Sequence, residues 1–477
     1  MGTCSIPNKP ICGVYRIMLP LRKVRRISKQ LLKCVILSSV IGLIIPLVIF
    51  WRGEYVHVLK YQWVPGETCQ DIPVTRTPDK TTEKRDISVN MTIQRGWQAV
   101  DNENLFYLFS SFYVVDRDSR YVLLIGAMDK RTYDDLQCAV TDNKTIKYVP
   151  ARYMAMWDDQ LLCTQINPYY TAIWDDQILC RYSPTFFTCD LPNNFHPTSV
   201  ALSRKFCQLP SQMLPVKYPT EITKKFTLCV APLYGPYDNI NELIEMIELN
   251  KILGADHFTF YNFNISSRVN RILDYYIKQG IVDLVTWNMP INLTRIHYYG
   301  QMAALNDCLY RNRHKSRYIV VQDMDEFIIP KKYRTWHEMM LDMPSGLNVY
   351  SFQSVQFSVD IQDIKTNFQG KANVKKFNLV TLLKQNHGPV YDRTTRTKYI
   401  VEASRVKELG IHNVWQLRDG STGNEYHVPP EDALMFHYRH WFNEKEIFTG
   451  KHNPRMMMYK DNLLTNVQKT FEKLKLI

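Results

Sequence analysis

Two aspartates two positions apart, Asp323 and Asp325, directly follow a short apolar run at residues 318–321. The run predicts a buried strand, and because side chains alternate along a strand, the two carboxylates are expected on one face of it. Neighbouring carboxylates repel each other unless a cation lies between them, and oxygen ligands of this kind suit Mg²⁺ or Mn²⁺ together with substrate phosphates. The pattern therefore predicts a divalent-metal site that binds a phosphate-bearing ligand.

An Asp-x-Asp pattern alone is weak evidence, because short acidic pairs are common in solvent-exposed turns. Here Glu326 and the apolar residues 327–329 follow directly, so that three carboxylates lie within core sequence. Buried charge is costly unless it is compensated. The surrounding residues thus favour a metal site over an ordinary acidic turn.

Strands and helices alternate in the part of the chain that leads to this acidic cluster. Strand-like runs lie at 226–233, 257–261 and 281–287. They alternate with segments in which apolar residues have helical spacing, at 240–247, 272–276 and 302–309. Such alternation predicts an α/β fold: a mostly parallel, Rossmann-like sheet with helices on both faces. Ligands bind such sheets outside the carboxyl ends of the strands, which is where the acidic cluster falls.

The regions on either side of this segment carry different patterns. Residues 349–359 predict one or two strands, 377–383 predict a further strand, and the tail after 453 predicts a basic helix. Residues 96–215 contain short aromatic and β-branched runs and no periodic segment of helical length. We therefore expect a small β-rich domain at 96–215 and a catalytic α/β domain at 216–477.

The N-terminal region predicts a membrane anchor. Residues 34–51 are uncharged and long enough to span a bilayer as one helix, and the basic tail at 1–33 places the N-terminus in the cytoplasm. A cleaved signal peptide is the alternative, although small residues should then mark a cleavage site. The polar residues 52–95 predict a flexible stem. Part of the formal net charge of +13 comes from the basic tail at 1–33, and no nucleic-acid-binding pattern accompanies it.

Glycosylation triplets and cysteines agree with a lumenal location. Four Asn-x-Ser/Thr acceptors follow the predicted span: Asn90, Asn143, Asn264 and Asn292. Eight cysteines also follow it: Cys69, Cys138, Cys163, Cys180, Cys189, Cys207, Cys229 and Cys308. An even number in an oxidising compartment predicts disulfides, whose pairing the sequence leaves open.

Five short motifs occur in order along the second half of the chain, at residues 229–233, 299–311, 323–330, 410–412 and 437–439. As an ordered set they resemble glycosyltransferase family 92, a family of galactosyltransferase-like enzymes. The resemblance implies a GT-A fold, a UDP-sugar donor (most often UDP-galactose), a glycan acceptor, a divalent metal such as Mn²⁺, and inversion at the anomeric carbon. It also implies a single-pass type II Golgi membrane protein with its catalytic domain in the lumen.

The resemblance gives roles to individual residues. Asp323 and Asp325 match the Asp-x-Asp that holds the metal against the donor diphosphate. His437 lies where many GT-A enzymes have a metal-binding histidine, although a core histidine in an aromatic-rich strand is the alternative.

Three further residues complete the nucleotide-sugar site that the resemblance implies. Glu326 could order the metal site or position the donor. Lys398 and His412 could approach the diphosphate or the acceptor, and a solvated loop lysine and a structural histidine are alternatives of equal weight.

Inverting transfer requires cations at the leaving diphosphate and a carboxylate that takes the acceptor's proton. The base remains open among the carboxylates after the metal motif: Asp360, Asp363, Asp392, Glu402, Glu425, Glu431 and Asp432. Two other functions are considered. A carbohydrate-binding membrane protein without catalysis would not need the intact Asp-x-Asp, and a metal-dependent phosphohydrolase would need a second cluster of metal ligands that the sequence lacks.

Overall fold

The computed structural model describes residues 69–73, 92–93, 95–117, 119–132, 134–156, 181–361, 365–418, 420, 424–440 and 450–476. The predicted cytoplasmic tail and membrane span lie outside these ranges, as do most of the predicted stem and Asn90, Cys163, Cys180 and Asp363. Within the described ranges, no helix is both long and apolar enough to cross a bilayer.

The region predicted to be β-rich folds into a barrel. Its strands are β1 (Ile72–Pro73), β2 (Thr92–Ile93), β3 (Gln98–Ala99), β4 (Phe106–Asp116), β5 (Ser119–Asp129), β6 (Leu136–Thr141), β7 (Thr145–Ala155), β8 (Tyr182–Asp190), β9 (Ser199–Ser203) and β10 (Gln212–Lys217). Pairing runs in the order β10-β9-β6-β7-β8-β5-β4, and β10 also pairs with β4 in parallel, which closes the sheet. Closure leaves these strands without a free edge.

Strands of the barrel bury both faces, which explains their unbroken apolar runs. Along β5, Val122 and Leu124 belong to the cluster that fills the barrel interior. Leu123 and Ile125 point the opposite way, as alternation along a strand requires, and belong to a cluster shared with the α/β part. A single hydrophobic cluster therefore spans the predicted domain boundary between residues 215 and 216.

From residue 224 onward, strands alternate with helices. The strands are β11 (Lys224–Cys229), β12 (His257–Asn262), β13 (Val282–Thr286), β14 (Ser316–Val321), β15 (Glu326–Pro330), β16 (Val349–Phe352), β17 (Ser354–Ser358), β18 (Asn386–Val390), β19 (Lys398–Glu402), β20 (Val406–Leu409), β21 (Val414–Leu417), β22 (Glu425–Val428), β23 (Ala433–Arg439) and β24 (Lys451–His452). The α-helices are α1 (Ile240–Leu253), α2 (Ser267–Lys278), α3 (Gln301–Asn312), α4 (Trp336–Asp342), α5 (Lys371–Lys376), α6 (Val380–Leu383) and α7 (Lys460–Lys473). Short 3₁₀ turns lie at Leu293–Arg295, His297–Gly300, Ala403–Arg405 and Arg455–Tyr459.

The central sheet has seven strands in the order β13-β12-β11-β14-β19-β16-β22. The first four are parallel, and β19 runs antiparallel to both of its neighbours, so the sheet is mixed. Helices α1, α2 and α7 contribute to the core on one face. Helix α3 lies in the core on the other face, next to the barrel, and the disulfide Cys229–Cys308 links it to β11.

Asp323 and Asp325 do not lie on a strand, so the alternation argument for these two residues is wrong. Strand β14 ends at Val321 and β15 begins at Glu326, which leaves both aspartates in the turn between them. After this turn the chain leaves the central sheet, because β15 belongs to a second sheet of order β15-β23-β17-β18-β24. The acidic turn thus lies where the chain passes from one sheet to the other.

The strand predicted at 377–383 is also wrong, since this segment ends helix α5 and forms helix α6. Asn378 has φ +50° and reverses the chain between the two helices. The buried carboxylate of Glu245, on α1, accepts the backbone N–H groups of Val380 and Thr381 and so caps the start of α6. Because Glu245 is distant in sequence, no local pattern around residue 380 indicates the start of α6.

Disulfides form as predicted among the six cysteines that the structure describes after the span. Besides Cys229–Cys308, the pairs are Cys69–Cys207 and Cys138–Cys189. The described residues of the predicted stem are attached to the barrel: β1 pairs with β7 and β2 pairs with β10.

Candidate active site

A cavity of about 1070 Å³ lies beyond the carboxyl ends of β11 and β14. The segments that follow these strands, residues 230–234 and 323–327, line it together with His412 and the end of β23. Loops after parallel strands meet at this edge of a sheet, and open α/β sheets bind their ligands there. The predicted acidic cluster therefore lies at the ligand-binding edge.

A buried lysine pairs with two of the three clustered carboxylates. Lys398, at the start of β19, places its Nζ 2.9 Å from Asp323 Oδ2 and 3.1 Å from Glu326 Oε2. The side chains of Lys398 and Glu326 are only 1% and 2% exposed, whereas Asp323 is 36% exposed and faces the cavity. Lys398 is thus a built-in cation of the acidic cluster and not a solvated loop lysine.

Burial and charge pairing act in opposite directions on these groups. Burial alone would raise the pKa of Asp323, but the charges of Lys398, His437 and His412 together hold that pKa below its usual value. Burial alone would lower the pKa of Lys398, and the two carboxylates raise it instead. The pKa of Glu326 is raised, because burial exceeds the stabilisation that Lys398 provides. Lys398 and Asp323 are therefore both charged at neutral pH.

His437 joins the cluster from the neighbouring strand. It pairs directly with Glu326 across β23 and β15, and its Nε2 lies 3.2 Å from Asp325 Oδ2. Its Nδ1 lies 3.5 Å from Glu326 Oε1 and is buried without a hydrogen bond. Burial alone would lower the pKa of His437, but the hydrogen bond to Asp325 and the charge of Glu326 raise it.

The side chains of this cluster are of the types that bind a divalent metal. In the structure, however, Asp323 pairs with Lys398 and Asp325 pairs with His437. Asp323, Asp325 and His437 offer carboxylate oxygens and an imidazole nitrogen, a set that Mn²⁺ accepts. Glu326 lies 3.5 Å from His437 Nδ1, on the side of the ring where metal-binding histidines usually have a carboxylate partner. Across the described ranges, however, no three His, Cys, Asp or Glu side chains are grouped closely enough to form a ready metal site.

His412 lines the same cavity, and its protonation state is fixed by its surroundings. Its Nδ1 lies 3.1 Å from the carbonyl oxygen of Thr397, which can only accept, so Nδ1 carries the proton. Burial and the nearby charge of Lys398 lower the pKa of His412 to about 4. His412 is therefore neutral at physiological pH.

Tyr234 and Tyr298, which the sequence analysis did not assign to the site, line the cavity, and Tyr299 packs against both of them. The ring of Tyr234 stacks on that of Tyr299 at 4.1 Å and meets that of Tyr298 edge-on at 6.0 Å. Tyr298 and Tyr299 have φ values of 44° and 60°, in the left-handed region that bulky residues rarely adopt and that clusters at functional sites. The signal in the sequence is the Tyr-Tyr-Gly that precedes α3, since Gly300 is also left-handed.

The carboxylates left open as the base do not line the cavity in the described part of the chain. Asp432, for example, pairs with Lys332. Asp360 is the exception in one respect, because its hydrogen-bond partner His440 does line the cavity. Arg396 and Arg439 add positive charge to the same walls.

Three of the four predicted glycosylation sites fall within the described ranges. Asn143, Asn264 and Asn292 are all exposed. Their glycosylation remains a prediction.

The sequence profile named "Glycosyltransferase family 92" matches residues 224–474, slightly more than half of the chain. The chain belongs to glycosyltransferase family 92. The match covers the central sheet, the second sheet and helix α7, and it includes every residue of the acidic cluster. The barrel precedes the matched region.

Individual relatives of this family 92 chain are distant. It is 26% identical over 239 residues to "Beta-1,4-galactosyltransferase galt-1" of Caenorhabditis elegans, covering 47% of this chain and 53% of that protein. It is 22% identical over 226 residues to "Galactan beta-1,4-galactosyltransferase GALS1" of Arabidopsis thaliana, covering 46% and 43%. The chain thus spans about half the length of these relatives.

Solved structures show weaker similarity. Staphylococcus aureus TarS covers 52% of this chain and 71% of its own at 11% identity and a TM-score of 0.26. The galactosyltransferase LgtC, solved with donor and acceptor sugar analogues, covers 38% and 58% at 12% identity and a TM-score of 0.18. TM-scores this low do not establish a shared fold.

Proposed function

We propose that this family 92 chain transfers a hexose, galactose, from a UDP-sugar to a hydroxyl group of a glycan acceptor, with inversion at the anomeric carbon. The observation that carries the proposal is the convergence of Asp323, Asp325 and His437 on one cavity at the ligand-binding edge of the central sheet, with the buried Lys398 paired to Asp323. Two relatives that are named β-1,4-galactosyltransferases support the choice of sugar. A GT-A arrangement of the central sheet is part of the same proposal.

The leaving diphosphate of the donor needs positive charge, and the cavity supplies it in two ways. Lys398 is charged and buried directly behind Asp323, while Arg396 and Arg439 line the walls. A divalent metal such as Mn²⁺, held by Asp323, Asp325 and His437, would neutralise the diphosphate further. Glu326 would orient the His437 ring from its Nδ1 side.

The location of the enzyme is part of the proposal. Residues 34–51 would anchor it in the Golgi membrane, with the tail at 1–33 in the cytoplasm and the catalytic domain in the lumen. The exposed acceptor asparagines are consistent with a lumenal catalytic domain.

A donor screen tests the activity. The full chain, solubilised in detergent, is incubated with each UDP-sugar and a mixture of glycan acceptors, with Mn²⁺ and separately with EDTA. We expect UDP release and product only with UDP-galactose and only with Mn²⁺. Glycan binding without transfer from any donor would instead support a carbohydrate-binding protein that lacks catalysis.

The acidic turn provides the matched variants. Because charge neutralisation by a metal contributes several kcal/mol, and about 1.4 kcal/mol corresponds to tenfold in rate, Asp325→Asn and Asp323→Asn should each reduce transfer by at least about 100-fold. Asp342→Asn, an exposed aspartate on α4, should transfer like the wild type. The measurement is initial rate at saturating Mn²⁺, with thermal melting as the folding control. Near-normal transfer by both turn variants would contradict the metal site.

A further inference from the structure

A histidine and an aspartate meet just beyond the ends of β17 and β23, at the wall of the cavity. These two strands are parallel, and Ser358 pairs with Arg439 at their ends. The next residues on each strand therefore run side by side, and His440 Nδ1 lies 2.6 Å from Asp360 Oδ1. The side chains of His440 and Asp360 are 79% and 44% exposed, and His440 lines the cavity.

This hydrogen bond fixes which nitrogen of His440 can accept a proton. An ionised carboxylate can only accept hydrogen bonds, so Nδ1 of His440 carries the proton and Nε2 holds a lone pair. Among the described residues, no hydrogen bond involves Nε2 of His440. A histidine oriented by a carboxylate through Nδ1, with a basic Nε2, is the usual arrangement of a general base.

Other ionisable side chains that line the cavity are already engaged or are weak bases. Asp323 and Glu326 share Lys398, and Asp325 binds His437. The remaining carboxylates are engaged too, Glu242 by the hydroxyl of Tyr237 and Glu245 by the start of α6.

The remaining histidines on the cavity are poor bases. The pKa of His412 is lowered to about 4, and burial also lowers the pKa of His297. His440 is the exposed histidine on the cavity wall that has a carboxylate partner within the described part of the chain.

We propose that His440 is the catalytic base of the transfer reaction and that Asp360 is its positioning residue, an inference that rests on the proposed function. His440 Nε2 takes the proton of the acceptor hydroxyl while the oxygen's electron pair forms the new bond to the anomeric carbon. The bond from that carbon to the diphosphate oxygen breaks, and its electron pair leaves with UDP. The resulting imidazolium is stabilised by the Asp360 carboxylate. The acceptor is therefore bound with its reacting hydroxyl at the β17–β23 side of the cavity.

His440→Gln in the full chain tests the base directly. Glutamine can still donate to Asp360 but cannot take up the proton. General-base catalysis typically contributes 10²- to 10⁴-fold, so we expect kcat for galactosyl transfer to fall by at least about 100-fold. The Kd for UDP, measured by titration calorimetry, should change by less than about twofold, since the base does not hold the donor. His452→Gln, an exposed histidine on β24, is the matched control and should keep wild-type kcat.

Two further measurements separate catalysis from structure. Added imidazole should restore part of the activity of His440→Ala, which a purely structural role would not allow. Asp360→Asn should lower kcat and leave the Kd for UDP unchanged, because the carboxylate that orients His440 through Nδ1 is lost. Asp360→Glu, which returns a carboxylate at this position, should recover part of kcat.

The outcomes are distinguishable. If the wild type transfers galactose while His440→Gln keeps kcat within about threefold, or if His440→Ala is not rescued and Asp360→Asn keeps wild-type kcat, the base assignment is wrong and the proposed function stands. If the wild type transfers no sugar from any UDP-sugar donor, the proposed function fails and this inference fails with it. If His440→Gln does not fold, the kcat values of Asp360→Asn and Asp360→Glu decide.

Discussion

Lys398 shows at the scale of one residue how the site tolerates clustered acids. Its ammonium group lies within 3.1 Å of both Asp323 and Glu326 in a nearly solvent-free position. Removing one partner from a buried ion pair leaves the others uncompensated, which is more costly than the pair itself is stabilising.

Lys398→Met should therefore destabilise the protein strongly. We expect a loss of roughly 3–5 kcal/mol in the free energy of unfolding, measured by chemical denaturation at neutral pH. The double variant Lys398→Met/Glu326→Gln should recover part of this loss, because one uncompensated carboxylate is removed. Lys332→Met, which removes an exposed lysine from its pair with Asp432, is the control and should cost much less. Equal stability of the two single variants would contradict this account of the cluster.

Because of His412, we expect the stability of the folded protein to fall at acid pH. Its pKa is about 4 in the folded protein, below the value of about 6.5 expected when it is unfolded. Between these values the unfolded state binds more protons than the folded state, so stability falls as the pH is lowered from 6.5 to 4. The difference between the two pKa values corresponds to a loss of about 3 kcal/mol in the free energy of unfolding at the acid end of this range.

The variant His412→Asn should lack this part of the acid sensitivity. Asparagine can keep the donor to the Thr397 carbonyl but has no titrating group. Stability is measured by denaturation at pH 7 and at pH 4.5, and the wild type should lose more than the variant. Parallel losses in the two proteins would show that His412 is not held neutral by its surroundings.

Helix α3 illustrates how one element joins the barrel to the central sheet. Its buried Asp307 accepts hydrogen bonds from Ser110 on β4 at 2.5 Å, from Tyr261 on β12 at 2.7 Å, and from Arg311 one turn later at 2.7 and 2.9 Å. Burial alone would raise the pKa of Asp307, but Arg311, Lys217 and the hydrogen bonds from Ser110 and Tyr261 together lower it. One charged side chain therefore connects three elements.

Asp307→Asn should weaken this junction. The change leaves the mostly buried Arg311 without its counter-charge, so we expect a loss of about 3–5 kcal/mol in the free energy of unfolding. Asp274→Asn, on the exposed face of α2, is the matched control. If the two variants unfold at the same denaturant concentration, the Asp307 network does not hold the barrel against the sheet.

At the scale of the whole molecule, the described residues of the predicted stem belong to the folded unit. The disulfide Cys69–Cys207 joins residues 138 positions apart and ties the chain ahead of β1 to the barrel. A crosslink that closes so long a loop restricts the unfolded chain strongly, by up to roughly 5 kcal/mol in the chain-entropy account.

The double variant Cys69→Ser/Cys207→Ser should therefore melt at a clearly lower temperature than the wild type, with a single cooperative transition, because the barrel and the sheet share a hydrophobic cluster. Calorimetry of both proteins without reductant provides the measurement. Unchanged melting would indicate that the residues ahead of β3 are attached without being part of the stable fold.

The strand and helix alternation, the β-rich region ahead of it, the position of the acidic cluster after β14 and the formation of disulfides all follow from local patterns in the sequence. Apolar periodicity reflects which faces are buried, and a carboxylate pair after an apolar run reflects chemistry at a strand end. The family match confirms the recognition that the ordered motifs made possible.

Partners of the acidic cluster could not be found in this way. Lys398 is 75 residues from Asp323 and His437 is 112 residues from Asp325, and only the pairing of β14 with β19 and of β15 with β23 brings them together. Closure of the barrel through β10 and β4, and the capping of α6 by Glu245, likewise depend on contacts across long stretches of chain. Such contacts depend on how whole strands and helices pack together. The residues next to any one of these positions in the sequence therefore do not predict them.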